Sequence, residues 1–510
     1  MLVAIALTVA AACQGEPPAA APFHAVGFHS SWVLDEGRRY RYPGDSGAVY
    51  GGPHGAPRPV LVNEWYPATG TDPERAMVHG DYFAIESAGE RIAPFAQALA
   101  EYAREIAREE VGAQTFEAAL NTPARVFRDA EPATGPFPVV LYHSGAGSSF
   151  EDNAAFCARL ASRGYVVLGS AFCRADGSDL GIDGGDGSGD DLELLTRHAA
   201  SLPHADAGHL ALAGHSAGAQ AVLRHACKPS SRVDALVLLD TTVDYYGLDM
   251  PLHARLVDEV LAAADDLALP LFAAASSEAS FQLCDRLDRC RRIYWTVPAL
   301  GHNEYIAQGL QALTADDSEH ATAVRAAHTR LVDDAVAFLD AELRGEGGAL
   351  ARAISAGRAS TIGGPAPHVE LAEVGVAAPA PYDPQSPNPP TPRQLPHLLR
   401  ERGPALTGEV LVRFAGRGCP WEESNMVLGS LLWELVETEG RVGEARDLLA
   451  RIETFRPRVT SLFTFLADFA ELVGRRADAR RAVAVHSALA PDDEALRSRL
   501  ADLSDPASDR

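Results

Sequence analysis

The chain is almost without lysine: Lys228 is the only one among 44 basic residues, and the rest are arginine. That imbalance reads as a coding preference, not as chemistry. No Lys/Arg-rich run occurs, and 69 acidic residues bring the net charge to -25. No nucleic-acid partner is therefore expected. Cys-x-x-Cys is missing, and no His/Cys pairing has the spacing of a zinc site. The apolar run at the N-terminus, Met1 to Ala12, is too short to cross a bilayer.

That run has the character of the apolar core of an export signal. The small residues Ala11 and Ala12 before Cys13 resemble a bacterial lipoprotein cleavage site, where Cys13 would carry lipid and anchor the chain to a membrane. No Lys or Arg precedes the run, and Ala10 stands where such sites usually have Leu. The expectation is an exported protein, periplasmic or lipid-anchored. Export would permit disulfides among the other six cysteines. Cys284 and Cys290 are the closest pair, and sequence leaves their connectivity open.

At 510 residues the chain is long for one domain, and its composition, 47% hydrophobic and 22% charged, is that of a protein with a buried core. Strand-like and helix-like runs alternate up to about residue 344. The strand candidates are Pro59 to Trp65, Phe137 to Tyr142, Tyr165 to Leu168, Leu210 to Ala213, Ala235 to Leu239 and Pro270 to Ala275. They are continuous apolar runs, as expected of strands buried on both faces. Ile92, Phe95, Leu99, Tyr102 and Ile106 recur at helical spacing, as do Val324, Leu331, Ala335 and Phe338. The pattern predicts a mostly parallel α/β sheet with helices on both faces.

From Gly345 the sequence becomes rich in Pro, Ala and Gly, most densely over Ala377 to Pro396, and reads as an extended linker. Beyond it the chain is helical and repeats. Gly440, Ala445 and Pro457 recur 34 residues on as Gly474, Ala479 and Pro491, with Leu432/Leu466 and Glu437/Glu471 in step. This period and placement resemble tetratricopeptide repeats, although Trp433 stands where such repeats usually carry a small residue. Two copies are fewer than a free-standing solenoid needs. The resemblance implies a surface for a protein partner. The expected organisation is an export segment at 1–13, a spacer at 14–25, an α/β domain at 26–344, a linker at 345–403 and an all-α repeat domain at 404–510.

The chemistry concentrates in His209-Leu-Ala-Leu-Ala-Gly-His-Ser-Ala-Gly, an apolar strand running into Gly-x-Ser-x-Gly and then into a helix-compatible segment. In that context the motif marks a nucleophile on a sharp strand-to-helix turn, where Gly214 and Gly218 spare the backbone a collision. Ser216 is the candidate nucleophile. Acyl transfer also needs two N–H groups aimed at an oxyanion. One candidate is Ala217, and the other is Ala146, in the small-residue loop after Phe137-Pro-Val-Val-Leu-Tyr-His. His302, in Gly-His-Asn after the strand-like Arg292 to Val297, is the best-placed base. Two residues compete as its orienting acid, Asp240 at the end of one strand and Glu278 after the next, and sheet-end position suits both.

Together, Phe137 to Ser148, Gly214 to Gly218, Leu239-Asp-Thr, Pro270-Leu-Phe with Ser277-Glu-Ala, and Gly301-His-Asn resemble the secreted platelet-activating-factor acetylhydrolases and their bacterial relatives over residues 55–344. The resemblance implies the α/β-hydrolase fold, the triad Ser216, Asp240 and His302, and no cofactor. It also implies a short-chain ester or a phospholipid with a short or oxidised acyl chain as substrate. The chain departs from that family in reading His-Ser-Gly-Ala-Gly for its usual Ser-His-Gly-x-Gly, and in Asp-Thr-Thr, where an aromatic often follows the acid. A serine peptidase of the same fold, and a catalytically silent scaffold that recruits partners through the repeats, are the competing readings. Asp179, Asp183 and Asp190 resemble a calcium loop, but Gly181 occupies a ligand position, so a solvated loop and no metal is expected. Tyr245, Tyr246, Leu248 and Met250 are placed to cap the site.

Overall fold

The computed structural model describes residues 23–39, 57–90, 92–146, 148–173, 186–245, 253–275, 281–296, 300–306, 318–360, 370–374, 382–390, 394–417, 419, 421, 425–472 and 476–504. The continuous apolar runs form the centre of one sheet. The central strands are β5 (Phe137–His143), β6 (Val166–Gly169), β7 (Ala205–His215), β8 (Ala235–Leu239), β9 (Leu271–Ala275) and β10 (Arg292–Thr296). All are parallel to their neighbours, in the order β10-β9-β8-β7-β5-β6. Beyond β6 the sheet continues with β2 (Pro57–Ala68), β1 (Ala25–Arg39), β4 (Pro123–Arg128) and β3 (Ala76–Val78); β2 is antiparallel to β6, and β1 to β2.

Period-two alternation assigns the two faces of each central strand to two different cores. Val139, Leu141, Leu212, Leu236 and Leu238 face one layer, with Leu192 and Leu195 of helix α4 (Asp186–Ala199), Val222 and Leu223 of α5 (Ala217–Ala226), and Val257 and Val260 of α6 (Ala254–Ala263). Val140, Tyr142, Ala211, Ala213, Val237 and Leu239 face the other, with Phe156 and Leu160 of α3 (Ala154–Ser162) and Val324, Leu331, Ala335 and Phe338 of α7 (Glu319–Arg344). The sheet is therefore covered on both faces, as the apolar runs predict.

The chain runs from β5 through α3 to β6, then crosses back to place β7 on the other side of β5. That reversal creates the crevice at the carboxyl ends of β5 and β7 where open α/β sheets place ligands. A third core closes one side of it. Phe95, Leu99, Ala103 and Ala107 of α1 (Ala93–Val111) pack with Phe116 of α2 (Ala113–Leu120) and with Phe83, Phe150 and Cys173. Tyr102 and Ile106, expected on the same stripe, lie half-buried along its flank.

The segment expected to be a plain linker, 345–403, is more structured than that. It carries helix α8 (Gly348–Ser360) and strand β11 (Glu370–Val374), which pairs antiparallel with β10, and helix α9 (Gln394–Phe414) begins inside it. An Ala- and Gly-rich helix has no large apolar stripe to reveal it, and β11 exists only because β10 offers a partner. Within α9 the backbone breaks at Gly403 (φ 80), ahead of Pro404.

The C-terminal helices are α10 (Asn425–Trp433, extended by a π-turn to Thr438), α11 (Val442–Ile452), α12 (Ser461–Leu472), α13 (Arg476–Leu489) and α14 (Glu494–Ser504). Residues 34 apart occupy matching environments: Ala445 and Ala479 are wholly buried, as are Leu432 and Leu466, and Trp433 and Ala467. Glu437 pairs with Arg481 at 2.7 Å, and Glu471 pairs with Arg499. Leu411, Trp421, Trp433 and Val483 belong to the same apolar cluster as Leu212 and Leu238 of the sheet. The helices thus share a core with the α/β domain. The fold is an α/β-hydrolase fold followed by a helical region.

Candidate active site

β7 ends at His215 and α5 begins at Ala217, so Ser216 alone makes the turn. Its backbone sits at φ 54, ψ -120, a strained conformation for a residue with a side chain. The flanking glycines make the turn sterically possible. A Cβ on Gly218 would lie 2.2 Å from the His143 carbonyl oxygen, and one on Gly214 would lie 2.5 Å from the carbonyl of Gly218. The N–H of Ser216 donates to the Leu239 carbonyl at 2.9 Å, tying the turn to β8.

Asp240 follows β8 directly, also at positive φ (46°), and its N–H donates to Ala274 of β9. Its carboxyl is fully buried. His302 opens a single 3-10 turn, His302–Tyr305, and its imidazole is 37% exposed. The three side chains form a line: His302 Nε2 is 3.1 Å from Ser216 Oγ, and His302 Nδ1 is 2.6 Å from Asp240 Oδ2. A carboxylate at Nδ1 fixes that nitrogen as the donor and leaves Nε2 free to accept the serine proton.

The small-residue loop after β5 lies against this line. A Cβ on Gly145 would come within 3.2 Å of Ser216 Cβ, so a side chain there would crowd the nucleophile and glycine eases the approach. The loop turns back at once, with the N–H of Ser148 donating to the Gly145 carbonyl at 3.3 Å, and Ala146 stands exposed in that turn. Ala217 is the first residue of α5, where helix N–H groups have no intrahelical partner. Both N–H donors expected at an oxyanion therefore come from segments bordering Ser216. Glu278, the competing acid, lies outside the described residues, as do Cys13, Asp179, Asp183, Tyr246, Leu248 and Met250. Asp190 is on α4, exposed, 4.0 Å from Arg38. The six described cysteines, Cys284 and Cys290 among them, carry free thiols. Among the described residues, no group of three or more His, Cys, Asp or Glu side chains is arranged to hold a metal ion.

Several polar residues that no motif marks are buried around the loop. Asp152 lies wholly inside, with the Tyr142 hydroxyl donating to Oδ1 at 3.3 Å. Burial pushes its carboxyl up to about 7, against the pull of donors at Ser144, Tyr142 and the Gly145 N–H, and the nearby Glu110 carboxylate adds to the rise. Glu110 itself, half-buried on α1, is raised by burial and held back by the positive charge of His302. His143 stacks on Phe172 at 3.7 Å and bonds Ser188 Oγ at 2.8 Å, and burial lowers its pKa to about 4. Below the same edge of the sheet, Asp191 takes Arg58 at 2.9 Å and Arg38 at 2.6 Å, tying the start of β2 and the end of β1 to α4.

No protein-family model matches the chain, and no curated protein matches it. Among solved structures it is similar to a ferulic acid esterase from Streptomyces cinnamoneus, at 18% identity over 64% of this chain and 93% of that one, with a TM-score of 0.43. A likeness at that level carries nothing about activity. The fold stands on its topology, with the parallel core, the strand-order reversal and the Ser216 turn all in place.

Proposed function

We propose that the chain is a serine-dependent carboxylic-ester hydrolase working through an acyl-enzyme. The observation that carries this reading is the unbroken line Asp240–His302–Ser216, with a strained serine at the switch point of the sheet. Ser216 Oγ attacks the ester carbonyl carbon and passes its proton to His302 Nε2. Asp240 holds the Nδ1 proton and stabilises the imidazolium. The N–H groups of Ala146 and Ala217 receive the oxyanion. The alcohol leaves with the proton from His302, and water, activated by the same imidazole, releases the acid. Each step uses only groups of this chain.

The finer reading, a short-chain ester or a phospholipid with a short or oxidised acyl chain, rests on the sequence resemblance alone. Hydrolysis of p-nitrophenyl esters from acetate to decanoate, with Ser216→Ala alongside, tests both levels. Ester hydrolysis lost by about 10⁴-fold or more in Ser216→Ala supports the esterase, and the chain-length profile sets the acyl class. Equal inertness of the two folded proteins on every ester rejects it.

A further inference from the structure

His215, between Gly214 and Ser216, has no part in the mechanism above, yet it touches both halves of the site. The ring is 2% exposed. Its Nε2 lies 3.1 Å from the main-chain carbonyl oxygen of His302. A carbonyl only accepts, so Nε2 carries the proton and Nδ1 is bare. The rings of His215 and His302 are 4.7 Å apart, inclined by 36°. On the other side, a Cβ at Gly145 would lie 3.0 Å from His215 Nδ1, so the ring also lies against the loop after β5. Burial, then the positive charge of His302, lower the His215 pKa to about 3, with Asp240 and the bond to the His302 carbonyl opposing. The ring is therefore neutral wherever His302 works as a base.

The catalytic imidazole needs this support. Its Nδ1 is anchored by Asp240, and the residue opens a short 3-10 turn, His302–Tyr305. The ring meets Asp240 at Nδ1 and Ser216 at Nε2, and a displacement of about 1 Å from that line costs on the order of 10²-fold in rate. A tie at the main chain of His302 limits such a displacement. A neutral donor suits this tie: an aliphatic side chain would forgo the bond to the carbonyl, and a cation would oppose formation of the imidazolium next to it.

We propose that His215 is a positioning residue: its Nε2–H, bonded to the His302 carbonyl, fixes the height of the catalytic imidazole above Ser216. The proposal rests on the serine-hydrolase reading. It is tested with His215→Phe, which keeps a ring and removes the donor, and His215→Gln, which keeps an N–H near the position of Nε2. The readouts are steady-state hydrolysis of p-nitrophenyl butyrate and the downfield proton resonance of the His302–Asp240 hydrogen bond. The expected result is a kcat lower by on the order of 10²-fold in the Phe variant with KM within about two-fold, recovery of at least about ten-fold in the Gln variant, and a resonance broadened only in the Phe variant. Wild-type kcat in His215→Phe overturns the proposal, as do equal losses in both variants with the resonance unchanged. Should wild type itself prove inert, like Ser216→Ala, the hydrolase reading has failed, and the resonance still decides whether His215 holds His302.

Discussion

His302 Nδ1 lies 2.6 Å from a carboxylate, Asp240, that has no solvent exposure at all, while the imidazole it orients is 37% exposed. The charge that supports the imidazolium is thus screened from water while the proton acceptor remains open to substrate. Asp240→Asn keeps the shape and removes the charge, and its amide can select the wrong tautomer. The expected fall in kcat is about 10⁴-fold with the fold intact. Hydrolysis of p-nitrophenyl butyrate, with circular dichroism as the check on folding, measures it.

Gly218→Ala and Gly408→Ala separate two kinds of crowding. At Gly218 the new methyl would meet the carbonyl oxygens of His143 and Ser144 at 2.2 and 2.5 Å, and backbone cannot swing aside. At Gly408 it would meet Arg451 Cδ at 2.5 Å, in a flexible side chain. The Gly218 variant is expected to lose activity and about 1–3 kcal/mol of stability or more, and the Gly408 variant to lose far less. Urea unfolding midpoints rank the two.

Asp191 is expected to be the most sensitive charge outside the site. It is 1% exposed and accepts from both Arg58 and Arg38, and Arg58 is itself 4% exposed. Asp191→Asn leaves a buried guanidinium without its counter-ion, at a cost of about 3–5 kcal/mol. Asp191→Leu paired with Arg58→Met should cost less than Asp191→Asn alone. A double-mutant cycle by chemical denaturation decides it.

The Asp152 carboxyl, raised to about 7 by burial, makes stability depend on pH in a direction opposite to the buried histidines. Its folded-state pKa lies above its unfolded value of 3.8, so the folded chain binds the extra proton between the two. Its contribution is complete below pH 3.8 and is lost as pH rises through about 7. His79, His143 and His328, lowered to about 4 by burial, contribute above pH 6.5 and lose that contribution as pH falls toward 4. The difference in unfolding free energy between wild type and Asp152→Asn cancels the histidines. Wild type should lose stability relative to Asp152→Asn between pH 5 and pH 8. A difference flat with pH would mean that Asp152 titrates normally.

What was legible in the sequence follows from which interactions are local. β5, β7, β8 and β9 announced themselves because strands buried on both faces must be apolar at every position. The turn at Ser216 was readable because its two glycines are demanded by backbone contacts within the motif's own neighbourhood. β1 and β4 alternate or carry charge and gave no such signal, and β11 depends on a partner 82 residues earlier, Arg292 for Val374. Sheet-end position left Asp240 and Glu278 level, since which carboxylate meets His302 is set by how three strands stack. Nothing local in the sequence marks His215, between a glycine and a serine, or Asp152, in the segment after the small-residue loop. Their significance lies in contacts with residues 87 and 10 positions away.

β11 has a further consequence. A sheet with free edges exposes rows of unpaired N–H and C=O groups on which another chain can add a strand. Here the last parallel strand, β10, is covered by five residues drawn from the Pro-, Ala- and Gly-rich segment, and the opposite edge ends in β3, only three residues long. The segment that leads to the helices therefore also guards the sheet against self-association. A chain truncated before Glu370 would lose both this edge strand and the helices that share a core with the sheet, and would be expected to aggregate.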